Sequence, residues 1–154
     1  KITYKNKLPE FLISLADAYK ITGQNEKADE TYSKVKFINT YFKEKGVDTD
    51  LELTLFNINQ GKNLKEAIHT TEKYIRDGNN SFKTYHTLAW AEYKNGNTED
   101  ALKNIETALK LGTKEPLLWY HAGKIYEQAG NNIKAKEYTS YALSTYPWLE
   151  KTEQ

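Results

Sequence analysis

A spacing of 34 residues constrains this chain more than any other feature. Gly96 and Gly130 are 34 apart, as are Ala67 and Ala101, Ala101 and Ala135, and Ala108 and Ala142. The glycines open related strings, "GNTEDAL" at 96–102 and "GNNIKAK" at 130–136. "GQNEKAD" at 23–29 and "GKNLKEAI" at 61–68 have the same shape. Ala28 to Ala67 is 39, so the period slips once by five. Self-similarity at a period of roughly 20–50 residues marks a chain of stacked units, each too small to bury its own apolar face.

Each unit reads as helix, turn, helix. Gly23, Gly61, Gly96 and Gly130 follow amphipathic runs, and a glycine there closes a helix in the left-handed conformation. Asn25, Asn63, Asn97 or Thr98, and Asn131 or Asn132 then offer side-chain oxygens to cap the next helix. Gly46, Gly78 and Gly112 fall where second helices end, and Pro116 and Pro147 where helices start. The pattern predicts helices over 9–22, 25–45, 49–60, 63–77, 82–95, 98–111, 116–129 and 132–145, with a ninth beginning within 147–152. No run alternates with strand period. The fold class is therefore all-α, one domain over 1–154 built of about four repeats at 9–42, 47–81, 82–115 and 116–149. A chain of 154 residues can bury such a core without the disulfides that its lack of cysteine forbids. Helix 25–45 is unusually long, which accounts for the slip. Ala28, Tyr32, Val35, Ile38 and Phe42 form its stripe, beside Phe37 and Tyr41. After Gly46 the chain restarts with Asp48 or Thr49 as cap.

These residues resemble the tetratricopeptide repeat family. Leu12, Leu15, Ala16, Tyr19, Gly23, Ala28, Tyr32 and Val35 match its pattern in the first repeat. Tyr85, Leu88, Ala89, Gly96, Ala101, Ile105 and Ala108 do so in the third, and Trp119, Ala122, Gly123, Tyr126, Gly130, Ala135, Ala142 and Pro147 in the fourth. The second repeat departs, with Thr54 at the small site and Asn57 at the aromatic one; in the third, Glu92 replaces an aromatic. The resemblance implies an α-solenoid wound as a right-handed superhelix.

Composition narrows the function. The net charge is +1, from 22 basic and 21 acidic residues, and Arg76 is the single arginine. Nothing here steers toward a polyanion or supplies the bidentate donors of nucleic-acid recognition. No phosphate loop, HExxH, nucleophile elbow or metal-ligand cluster is present, so the expectation is a protein that is not an enzyme and carries no cofactor or metal. His86 and His121 lie on first helices of adjacent repeats and read, with His69, as surface or groove-lining histidines. No apolar run reaches the roughly 20 residues of a membrane span. The chain starts at Lys1 and has no methionine, so it reads as part of a longer protein. Abundant Lys, Asn and Tyr with little Arg point to an AT-rich, bacterial genome; cytoplasm and bacterial periplasm are both compatible.

In the family, first helices line a concave face. Carried over by position, that implies a partner groove of Ile13, Asp17 and Lys20, then Leu51, Glu52 and Leu55, then Lys83, His86, Trp90, Tyr93 and Lys94, then Tyr120, His121, Lys124 and Glu127. Leu88 and Ala89 take packing positions, which turns Trp90 toward the groove. The family's carboxylate clamp is missing, because Ile13, Asp17 and Thr87 stand at its positions. The expected function is a non-catalytic module that binds a peptide or protein segment in its concave groove. The alternative is a structural spacer or self-assembly segment, joined through ends near Leu8–Phe11 and Trp148–Leu149. The repeat reading places Ala101 in a close helix contact. Ala101→Leu is expected to cost about 1–3 kcal/mol by overpacking, and an unchanged melting temperature would refute that placement.

Overall fold

A computed structural model describes residues 8–46 and 51–152. Among them run nine helices: α1 (Leu8–Ile21), α2 (Asn25–Glu44), α3 (Leu51–Asn59), α4 (Leu64–Arg76), α5 (Phe82–Lys94), α6 (Thr98–Lys110), α7 (Pro116–Gln128), α8 (Asn132–Thr145) and α9 (Leu149–Thr152). No strand occurs among the described residues. The expected caps Asp48 and Thr49 lie outside the described residues.

The turns close as the glycines require. Gly96 and Gly130 hold φ of +85° and +79°, a region that a Cβ disfavours. Just beyond them, Asn97 N–H reaches the Glu92 carbonyl and Asn131 N–H the Tyr126 carbonyl, both at 2.9 Å. These bonds span five residues and satisfy carbonyls that the helix leaves unpaired. Gln24 to Tyr19 and Lys62 to Asn57 repeat them. The capping expectation holds less widely. Asn131 accepts from Lys134 N–H at 3.2 Å, but Asn97 makes no such bond. Asn25 is already helical, with Gln24 as the cap residue. Asn63 takes a left-handed φ of +57°, not the extended backbone from which a cap oxygen reaches back. Ser81, with that extended backbone, caps α5 by accepting from Thr84 N–H.

Helices pair as α1/α2, α5/α6 and α7/α8, and pairs stack through α4 on α5 and α6 on α7. Ala89, Ala101, Ile105, Ala108, Leu118, Ala122 and Ile125 form one core cluster joining the third and fourth repeats. At the other end, Val35 of the long α2 packs with Leu53 and Phe56 of α3, flanked by Tyr32 and Phe42. The extra length of α2 thus serves inter-repeat packing, while Phe37 and Tyr41 stay exposed. The positions of α1 that match Leu118, Ala122 and Ile125 of α7 are Phe11, Leu15 and Ala18. Leu118 is fully buried, whereas Phe11 is 68% exposed, so the outer face of α1 is an open stacking face. At the other terminus Leu149 covers the last hairpin, buried with Tyr120 and Ala142, while Trp148 is exposed.

The array curls until α9 packs on α1, with Lys151 Nζ 3.5 Å from the Ile21 carbonyl. The first and last described helices therefore meet across the concave side.

Close approach is tightest at Gly123. A methyl there would fall on Thr139 Oγ1 and lie 3.0 Å from the Ala135 carbonyl and 3.1 Å from Thr139 N of α8. A hydroxyl can rotate away, but two backbone atoms of the partner helix cannot. Gly123→Val is expected to lower stability by about 1–3 kcal/mol, read from the urea midpoint; an unchanged midpoint would show that α7 and α8 are not held this closely.

Candidate functional site

The concave side holds a cavity of about 370 Å³, within the range of about 300–1,000 Å³ usual for ligand sites. α1 contributes Glu10, Ile13, Ser14, Asp17 and Lys20, which recur at helical spacing and so share one face. α3 contributes Glu52, Leu55, Phe56 and Asn59, and Gln60 follows in the turn after it. Glu115 and Leu117 at the start of α7 and Thr152 of α9 close the far side. A second hollow of about 160 Å³ shares Glu52, Leu55, Glu115 and Leu117 with the first and continues past Lys83, His86 and Thr87 of α5. Tyr32 of α2 donates its hydroxyl proton to the Asp17 carboxylate, which fixes that side chain on the cavity wall.

The expected groove residues divide into three groups. Ile13, Asp17 and Lys20 line the cavity, as do Glu52 and Leu55. Lys94 and Glu127 are exposed, and Tyr93 and Lys124 are half-buried. Lys124 Nζ lies 3.5 Å from Glu127 Oε2 and 5.7 Å from the Tyr120 ring centre. Trp90, Tyr120 and His121 are not open groove surface, with Trp90 3% exposed and His121 fully buried, and the buried His86 only edges the second hollow. Trp90 lies parallel to the His121 ring at 3.5 Å and to Tyr93 at 4.6 Å, and its indole N–H donates to Asn59 Oδ1 at 2.6 Å. His86 Nε2 and His121 Nδ1 share a hydrogen bond of 2.8 Å. These side chains do point inward, as their positions imply. The curl brings α3, α5 and α7 so close that the inner aromatics pack on one another instead of facing solvent.

Among the described residues no cluster of three or more His, Cys, Asp or Glu side chains could hold a metal ion. The two buried histidines instead hydrogen-bond to each other.

The tetratricopeptide repeat model matches residues 9–36 and 117–144. Two stretches of the chain are thus similar to tetratricopeptide repeats. A solved structure, MamA AMB-1, is similar in fold, with a TM-score of 0.50 and 17% sequence identity over 92% of this chain and 76% of that one. No curated protein matches the chain.

The two matched repeats are the first and the fourth, and these face each other across the cavity. Glu10 and Ser14 were legible by helical spacing from Ile13 and Asp17, and Asn59 by spacing from Glu52 and Leu55. Glu115, Leu117 and Thr152 reach the cavity only through the curl between repeats, which leaves no mark on local sequence.

Two buried groups of the third repeat make stability depend on pH. Burial raises the Glu92 carboxyl from 4.5 to about 7, against the opposing hydrogen bond that it accepts from Asn104 at 2.9 Å. Burial also holds His86 well below its usual range, and nearby His121 and Lys83 add to this. The two effects have opposite signs. Between about pH 7 and 4.5 the folded state keeps a proton on Glu92 that the unfolded chain releases, so acidification stabilises. Below the usual histidine value of 6.5 the unfolded chain protonates at His86 while the folded state does not, so acidification destabilises. Glu92→Gln is therefore expected to exceed the parent in stability at about pH 8, with the gain fading toward about pH 5. The variant alone should lose stability steadily below about pH 6.5. A difference between the two proteins that does not change with pH would contradict the burial assigned to Glu92.

Proposed function

We propose that the chain is a non-catalytic interaction module that holds a peptide or protein segment in its concave groove. The observation that carries this reading is the cavity of about 370 Å³ between the first, second and fourth repeats, with a partly apolar lining. Tetratricopeptide repeats serve generally as scaffolds for protein partners, which supports the same reading. The polar rim and apolar floor suit an extended segment or a helix edge laid along the first helices. Because Trp90 is packed inside the wall, it contributes to the groove's shape and not to its surface. No helix among the described residues is long and apolar enough to cross a membrane.

The open face of α1 favours a second reading, end-to-end assembly through Leu8, Phe11 and Leu15, which are all exposed. One experiment separates the two. Peptides are selected on the protein from a random library, and their affinities are then measured for groove and outer-face variants. Ser14→Tyr with Gln60→Trp puts bulk into the cavity at two exposed positions, and Lys103→Glu changes exposed α6. The groove pair is expected to weaken the selected peptides by about tenfold or more, the equivalent of about 1.4 kcal/mol, while Lys103→Glu leaves them unchanged. Equal weakening by both, or peptides that compete only with self-association at α1, would overturn the groove reading.

A further inference from the structure

We propose that the concave cavity takes a lysine or arginine side chain of the bound peptide segment, and this rests on the interaction-module reading above. The lining has the two-part chemistry that such a side chain needs. Its floor is apolar, formed by Ile13, Leu55, Phe56 and Leu117. Its rim carries four carboxylates, Glu10, Asp17, Glu52 and Glu115, one each from α1 and α3 and the α7 cap, with a second from α1. Lysine and arginine bury an aliphatic stem against apolar surface while their charged head stays polar. A carboxylate rim then meets that head with charge-assisted hydrogen bonds.

The charge balance at the cavity is local and differs from that of the chain. The whole sequence has 22 basic and 21 acidic residues, close to parity. Around the joined hollows the four carboxylates face two ammonium groups, Lys20 and Lys83. Lys83 pairs with Glu52 at 3.2 Å, which leaves Glu10, Asp17 and Glu115 around the single further ammonium of Lys20. His86 lines the second hollow, and its burial holds it well below the usual histidine range, so it adds no positive charge to the wall. Asp17 is oriented by the Tyr32 hydroxyl. An anionic segment entering here would meet like charges and lose affinity. A cationic one is drawn in by the rim and seated by the floor.

The test uses three labelled peptides of equal length, with a Lys-Leu-Lys core or the same core with Gln or Glu in place of Lys. Binding is followed by fluorescence anisotropy on the full chain. The lysine peptide is expected to bind about tenfold or more tighter than the other two, and to weaken on adding salt. Glu10→Gln with Glu115→Gln, at exposed positions outside the packed core, is expected to weaken it about three- to tenfold. Lys103→Gln on the outer face should not. Equal or tighter binding of the glutamine or glutamate peptide overturns the cation assignment. So does a lysine peptide indifferent to the double variant, or failure of all three peptides. In each of those cases, library peptides that still depend on Ser14 and Gln60 would leave the groove reading standing.

Discussion

Everything in this molecule depends on how closely paired helices approach at their small residues. Gly123 lets α7 lie against the Ala135 carbonyl and the Thr139 amide of α8. Ala89 and Ala101 perform the same task between α5 and α6, each fully buried. A hairpin held this tightly still exposes one apolar face, and burying it requires the next hairpin. The seven-residue cluster from Ala89 to Ile125 is the result, a core that belongs to neither repeat alone. Overpacking at one such contact would disturb both the hairpin and the stack.

Stacking with a constant offset forces curvature, and curvature creates the cavity. The second helices occupy the outer arc, so the first helices crowd inward. Between the second, third and fourth repeats that crowding squeezes the inner side chains together. Trp90 stacks on His121 and ties α5 to α3 through Asn59, and His86 joins α5 to α7 through His121. Between the first repeat and the start of α7 the inner faces stand further apart, and the space left is the cavity. One wall is thus a packed aromatic layer and the other an open, acidic-rimmed groove. Both follow from the same curl.

The sequence made the helices legible because their punctuation is local. Gly96 and Gly130 close helices whatever lies around them, and the 34-residue echo of alanines marks the contacts. The site was legible in half. Helical spacing put Ile13, Asp17 and Lys20 on the inner face of α1, where they line the cavity. The same spacing put Trp90, His86, Tyr120 and His121 on inner faces, but it carries no information on how near the neighbouring inner faces come. Direction is a property of one helix, and burial a property of three. For that reason the aromatics turned from expected surface into packed wall, and Glu115, Leu117 and Thr152 entered the cavity unannounced. Side-chain capping at Asn63 failed for a related reason: the tight glycine turn before it sets a left-handed backbone that a sequence pattern of asparagines does not reveal.

The central claim is that the array curls until its first and last described helices meet, so that the cavity is bounded by both. The chain has no cysteine, so two introduced ones can carry spin labels without background. Labels on exposed Ser14 of α1 and exposed Glu150 of α9 report the gap directly. The account predicts a short, narrow distance distribution, that of helices packed about 8–10 Å apart and lengthened only by the label arms. A long or broad distribution would mean that the ends stand apart, and would contradict the curl and the cavity built on it.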